Sequence, residues 1–339
     1  MEISVAKLPK SKVEITVIVS PEEFEAFRKS VLADFSSRAK VEGFRQGKAP
    51  SEVVQREIGE EALLAETART ALSEGYAKAI DQEKLDVLGE PQVTVKKLAP
   101  GNPFEFQIIV AILPGIDLPE YAKIAKEAER KEVMIEDKEI ENALQWLRES
   151  RKEEDGPIPE LTDGLAQSLG NFKGVEDLRV SIKEGLLQEK RAQESQRLQQ
   201  EVLGKIAEKA KAEIPDVLIE QEKRAMLENT KQGVKQMMQI EFAQYLEQVK
   251  KTEAEVLESF CKEAEKRVKV SLVLREITRQ EHIEATPEDV EEEVNKVLAK
   301  YANLDTAKEQ VDLGRLTQYV KGVIENEKTL KRLEELIGQ

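Results

Sequence analysis

Residues 13–24 read Val13-Glu14-Ile15-Thr16-Val17-Ile18-Val19-Ser20-Pro21-Glu22-Glu23-Phe24. Val13, Ile15, Val17 and Val19 alternate, which is the period of a half-buried strand. Ser20 then stands at a helix N-cap, Pro21 suits the first turn, and Glu23 completes a capping box. Phe24, Phe27, Val31 and Phe35 fall on one face of the helix that follows. A strand that runs straight into an amphipathic helix opens an α+β domain. The next hundred residues continue it. A helix is predicted from about Glu60 to Gln82, with Leu63, Leu64, Thr67, Ala71 and Leu72 on one stripe. Val93 and Val95 alternate again. So do Phe104, Phe106, Ile108 and Val110, after the turn Pro100-Gly101-Asn102-Pro103. The order strand, helices, strands predicts an antiparallel sheet with helices on one side, ending near Leu113-Pro114.

Proline marks where this character stops. Ten of the 12 prolines lie in residues 1–160, and only Pro215 and Pro287 lie beyond. Proline breaks helix interiors, so the second half can be nearly all helix and the first half cannot. Residues 114–151 connect the two. Val133 and Ile135 suggest a short strand. Asp137 is placed to cap a helix carrying Ile140, Leu144 and Leu147, and Trp146 is expected to be buried where that helix meets the helical domain. Residues 152–160 form an acidic Gly/Pro junction that will not hold a helix. From Leu161 to Gln339 the 3.6 period dominates. Leu178, Ile182, Leu186, Leu198, Val202, Leu203 and Ile206 mark one long helix, and Pro215 starts another. Thr252-Glu253-Ala254-Glu255 is a capping box before Val256, Phe260, Ala264 and Val268. Thr286 caps a helix with Val290, Val294, Leu298 and Tyr301. Leu316, Val320, Val323, Leu330 and Leu333 mark the last. The stripes are narrow, so the helices are expected to be long, thinly packed and well exposed. The predicted fold class is an α+β domain (1–113), a connecting helix (114–151), a junction (152–160) and an elongated all-α domain (161–339).

Composition excludes several activities. The net charge is −15 over 339 residues, which disfavours a dedicated duplex-DNA binder, because such binding is driven by counterion release from phosphate. There is one cysteine, Cys261, and one histidine, His282. Cys–His zinc sites and Ser-His-Asp triads need more of these residues, or need His282 itself. His282 is expected to be solvated at a charged helix end, and Cys261 to be a small core residue. No run approaches the roughly 18 apolar residues of a membrane-spanning helix. The first residues carry neither a basic n-region nor an apolar h-region, so no secretory signal is expected, and the protein is expected to be cytoplasmic. No GxxxxGK[ST] stretch is present, and no cofactor is expected.

One segment departs from the overall charge. Residues 1–60 carry ten basic and ten acidic side chains, so the whole negative excess falls later. Within Arg38-Ala39-Lys40-Val41-Glu42-Gly43-Phe44-Arg45-Gln46-Gly47-Lys48-Ala49-Pro50, four cations stand against Glu42 alone. The segment follows one helix and precedes another. Gly43 suits a helix end, Gly47 permits a second bend, and Pro50 helps start the next helix. A protruding turn results, with Phe44 beside Arg45 and Lys48 at its tip. Phe44 either folds back onto its own domain or docks, filling a partner's pocket while the cations pair with carboxylates or phosphate.

The run Gly43-Phe44-Arg45-Gln46-Gly47-Lys48-Ala49-Pro50 resembles the GFRxGxxP signature of bacterial trigger factor, the ribosome-associated chaperone family. It occurs in the family's order of strand, helix, motif, helices. Pro159-Glu160-Leu161-Thr162-Asp163 and Val175-Glu176-Asp177-Leu178-Arg179 resemble the opening of its chaperone module. The resemblance implies that Gly43, Phe44, Arg45, Gln46, Gly47 and Lys48 dock on the large ribosomal subunit at the tunnel exit, against a ribosomal protein and neighbouring rRNA. Many members carry lysine where Gln46 stands. It also implies arm-like helices that shield nascent or unfolded polypeptides without ATP, and a free state off the ribosome that is either a monomer or a homodimer. The family usually carries an FK506-binding-type prolyl isomerase domain between the linker helix and the chaperone module. Here only the junction separates the two, so that domain is expected to be absent and the chain not to be an enzyme.

A surface for varied clients needs scattered apolar patches. Met237, Met238, Ile240, Phe242 and Tyr245 form one candidate, with Met226 and Leu227 similar; the same residues also suit a core between helices. Two other readings stand beside this one: a helical scaffold that binds no clients, and a periplasmic chaperone of related architecture.

Overall fold

In a computed structural model of the chain, residues 1–39, 44–45, 47–99, 101–152, 156–299 and 312–337 are described. The strand expected at 13–19 is the centre of the first compact unit. It is β2 (Lys12–Val19), and its burial alternates along its length. With β1 (Glu2–Leu8), β3 (Val87–Lys97) and β4 (Phe104–Ile112) it forms an antiparallel sheet in the order β1-β2-β4-β3. Val13, Ile15, Val17 and Val19 lie directly opposite Val110, Ile108, Phe106 and Phe104. All eight are buried. They face a helical layer made by α1 (Pro21–Arg38) and α3 (Glu60–Glu83), with the short α2 (Ser51–Ile58) between.

The layer packs closely because α3 presents small residues to the sheet. Ala68, Ala71 and Ala79 are buried there. At Gly75 a Cβ would lie 3.0 Å from Phe106 Cζ and 3.1 Å from Val17 Cγ1. Phe24 of α1 meets Phe104 edge-on at 5.4 Å between centroids. Ser20 caps α1 as its sequence predicts, with both halves of the capping box formed. The strand β1 was not expected from the sequence. Its hairpin with β2 turns through Lys10 (φ 59°) and Ser11 (φ 49°), both left-handed.

The same unit takes in residues 211–269. Asp117 and Lys211 exchange two backbone hydrogen bonds of 2.9 and 3.1 Å. Lys10 Nζ donates to Asp216 Oδ1 at 2.8 Å, and Ser11 Oγ donates to the Glu213 carbonyl at 2.7 Å. From there run α8 (Asp216–Met238), α9 (Phe242–Val249), α10 (Glu253–Ser259) and the start of α11 (Cys261–Gln280). Thr252 completes its capping box, but the helix stops at Ser259 and restarts at Cys261 instead of running through Phe260.

The second unit comprises residues 118–210 and 270–339. Its elements are α4 (Tyr121–Lys126), α5 (Asp137–Glu149), α6 (Asp163–Leu169), α7 (Val175–Lys209), the end of α11, α12 (Pro287–Leu298) and α13 (Leu313–Leu336). Ile140, Leu144, Ala166 and Leu178 form one buried cluster. Thr278 and Thr329 share a hydrogen bond of 2.8 Å between α11 and α13. Thr286 caps α12, with Pro287 in its first turn.

Two local expectations need correction here. Val133 and Ile135 form no strand. Side chains of α7 take up the backbone there: Lys131 N donates to Glu194 Oε1 at 2.8 Å, and Lys190 Nζ donates to the Met134 carbonyl at 3.1 Å. The N-cap of α5 is Glu136, one residue before Asp137, and its N–H donates to Glu139 Oε2 at 3.0 Å.

The Arg197 guanidinium and then the Lys131 N–H hold the Glu194 carboxyl down at about 2. The ordinary value is 4.5, so this contact's contribution is complete above that pH and is lost as pH falls through about 2. In Arg197→Gln, the carboxyl midpoint followed by NMR is expected to rise toward 4.5. An unmoved midpoint would assign the depression elsewhere.

Candidate functional site

Three helices fix the base of the 38–50 loop. Arg28 Nη2 of α1 donates to Glu60 Oε1 at 2.5 Å, and Gln55 Nε2 of α2 donates to Glu60 Oε2 at 2.9 Å. A single carboxylate at the start of α3 therefore ties α1 and α2 together. At the end of α1, the Ala39 N–H donates to the Phe35 carbonyl at 2.8 Å. Pro50 stands at the N-cap of α2.

Between these ends, Arg45 and Lys48 bracket a turn. Lys48 N–H donates to the Arg45 carbonyl at 2.9 Å. Gly47 closes it at φ +74°, and a Cβ there would sit 3.2 Å from the Ser37 carbonyl oxygen. A side chain at 47 would meet both the left-handed backbone and that close approach. Phe44 is 45% exposed, and Arg45 and Lys48 are exposed. Among the described residues, neither cation is ion-paired. Gly43 and Gln46 of the motif lie outside the described residues, as does Lys40. The loop thus exposes an aromatic ring, a guanidinium and an ammonium within five residues, a set that can enter an apolar pocket and neutralise carboxylate or phosphate.

The methionine segment lies at the end of α8. Met237 is 88% exposed and Met238 47%. Gln239 ends the helix in a left-handed conformation. Ile240, Phe242 and Tyr245 are half-buried. The Phe242 and Tyr245 rings stack at 5.8 Å, and Lys231 Nζ lies 5.6 Å from the Phe242 centroid. Lys231 also bridges Glu228 and Glu253, which steadies the aromatic pair against α8. Met226 belongs elsewhere. It is buried with Leu227 and Val234 on the inner face of α8, the core placement that the sequence also allowed.

Trp146 also differs from expectation. It is 66% exposed. Ile140 and Leu144, four residues apart, define the buried face of α5, and two residues beyond Leu144 a side chain points about 200° away from that face. Close by, Arg148 Nε donates to the Pro159 carbonyl at 2.7 Å, and α6 starts at Asp163. Cys261 is half-buried, and His282 is exposed at the left-handed end of α11. Among the described residues, no helix is long and apolar enough to cross a membrane.

Known proteins share both halves of this arrangement. The family model for bacterial trigger factor protein matches residues 1–147, and the model for its C-terminus matches residues 174–335. Trigger factor of Caldicellulosiruptor saccharolyticus is 26% identical, over 91% of this chain and 90% of its own length. That of Carboxydothermus hydrogenoformans is 22% identical, over 89% and 91%. A solved structure of the trigger factor chaperone, described for promiscuous substrate recognition in folding and assembly activities, covers 99% of both chains with a TM-score of 0.59 and 16% identity; the likeness is one of fold. With both family models matched in order along most of its length, this chain belongs to the bacterial trigger factor family.

Proposed function

We propose that the chain is an ATP-independent chaperone that docks at the ribosomal tunnel exit and shields nascent or unfolded polypeptides. The observation that carries this reading is the exposed Phe44, with the exposed cations Arg45 and Lys48 on the same loop, which three helices hold at its base. The large ribosomal subunit is its partner there, through a protein of the exit rim and adjacent rRNA. Docking rests on residues 1–113, linkage on 114–151 and client shielding on 161–339. The protein works in the cytoplasm. It does not catalyse prolyl isomerisation: α5 ends at Glu149 and α6 begins at Asp163, and residues 152–160 form a short junction where the family's isomerase domain would stand.

The test uses the full chain. It is expected to pellet with ribosomes at low salt and to leave the pellet as salt rises, because cations at the tip carry part of the contact. It is expected to suppress aggregation of an unfolded protein at near-stoichiometric ratio without nucleotide, and to leave proline-limited refolding unaccelerated. A scaffold without clients would suppress nothing, and an enzyme would accelerate the refolding.

Met237 and Met238 supply part of the client surface, since methionine adapts its shape to varied partners. The double variant Met237→Ser/Met238→Ser is expected to hold unfolded client about tenfold more weakly, the loss of two buried apolar side chains being roughly 1.4 kcal/mol or more. Both side chains are exposed, so the thermal midpoint should not move. Equal holding by variant and parent would place the surface elsewhere.

A further inference from the structure

The sheet has two edges, and they are covered differently. On β1, Ile3 and Val5 pack against the core. On β3, Val93 and Val95 do not. They lie directly opposite Ile108 and Phe106, so their side chains project from the same face of the sheet. Ile108 and Phe106 are fully buried, yet Val93 is 41% and Val95 50% exposed. The apolar face therefore extends one strand further than the helical layer covers.

The edge itself is open along part of its length. Among the described residues β3 pairs with β4 only, which leaves the backbone donors and acceptors on its outer side without a strand partner there. Pro91 and the register shift between Leu88 and Gln92 blunt the first half, and a second shift falls between Val95 and Lys97. From Gln92 to Val95 the ladder keeps one register and carries no proline. Lys96 and Lys97 end it, both exposed and, among the described residues, neither ion-paired. On a chain of net charge −15, this is a local positive end.

We propose that the outer edge of β3 at Gln92–Lys97 is a docking site for an extended segment of unfolded polypeptide, apolar at alternate positions and acidic near one end. The segment joins the sheet as a further strand. Main-chain hydrogen bonds hold it whatever its side chains, which suits clients of varied sequence. Its apolar side chains cover Val93 and Val95, and its carboxylates meet Lys96 and Lys97. A second copy of this chain fits less well, because each copy carries −15. The inference rests on the chaperone reading and names a second place where that activity meets its client.

The probe is a fluorescein-labelled synthetic peptide of alternating valine and threonine with two aspartates at one end. Its controls replace the aspartates by lysine, or alternate residues by proline. With the full chain, the aspartate peptide is expected to bind at least about tenfold more tightly than either control, in fluorescence anisotropy. It is expected to protect the amides of residues 92–97 from hydrogen exchange. Val93→Lys/Val95→Lys, at exposed positions, should lose that binding with an unchanged thermal midpoint. Lys96→Glu/Lys97→Glu should invert the preference between aspartate and lysine peptides, a change that misfolding cannot produce. Absence of protection at 92–97, or wild-type binding by Val93→Lys/Val95→Lys, overturns the proposal. Protection that appears without peptide as the chain is concentrated also overturns it, assigning the edge to a second copy. If the parent chain suppresses aggregation while the peptide leaves 92–97 unprotected, the chaperone reading stands and this site falls. If the peptide binds but nothing is kept from aggregating, the reverse holds.

Discussion

The triple variant Phe44→Ala/Arg45→Ala/Gln46→Ala is expected to disappear from the ribosome pellet under conditions where the parent chain is recovered in it. The expectation follows from what the tip presents. A half-exposed phenylalanine gains most by leaving water for a partner's pocket, and an exposed guanidinium gains by meeting a carboxylate or phosphate. Truncating a buried anchor of either kind costs about 2 kcal/mol or more, so losing two weakens binding by roughly a thousandfold. The helical content should be unchanged, since Phe44 and Arg45 are both exposed. Lys48→Ala alone should weaken pelleting only a few-fold, and mainly at low salt, because it contributes charge without a fitted surface. A triple variant that still pellets would remove the loop from the docking mechanism. The chain would then be left with family membership and no identified anchor.

The second large effect concerns the scaffold beneath that loop. Phe106→Ala is expected to destabilise the sheet by about 3–5 kcal/mol, the range for a large aromatic deleted from a packed core. Phe106 is fully buried, stacks at 4.9 Å on Phe104, and fills the space that Gly75 leaves in α3. The site has little freedom to collapse, because Val17 Cγ1 also stands 3.1 Å from the Cβ position of Gly75. Hydrogen exchange of the β2 and β4 amides reads the change directly, as a loss of opening free energy in that unit. Since α1 and α3 lie on this sheet and carry the loop, Phe106→Ala should also weaken ribosome pelleting in proportion to unfolding. The triple variant, by contrast, should weaken it with the sheet intact. That difference separates a scaffold effect from a docking effect.

Where a structural feature depends on neighbours in sequence, it could be read in advance. The alternation of β2 and β4, the capping boxes at Ser20 and Thr252, the cap at Thr286 and the turn of the Phe44 loop all have this character. Their determinants lie within three or four residues, and their hydrogen bonds close locally. The short elements were harder. Pro9-Lys10-Ser11 contains neither glycine nor asparagine, so nothing in it announces a hairpin with two left-handed residues. The turn is held by Glu213 and Asp216, two hundred positions away. Val133 and Ile135 have the alternation of a strand, but their stretch of backbone bonds to side chains of α7.

The amino-acid sequence by itself determined an α+β domain followed by helices, the family signature at 43–50, and the narrow apolar stripes of the second half. Periodicity and caps are properties of a chain's own neighbours, and they survive any arrangement of the rest. Only the tertiary structure decided which apolar side chains were left uncovered. Trp146, Met237, Val93 and Val95 are exposed, while Met226 is buried. It also returned residues 211–217 to the first hairpin. The physical reason is common to both: burial is fixed by what lies on top of a residue, and that cover comes from segments remote along the chain.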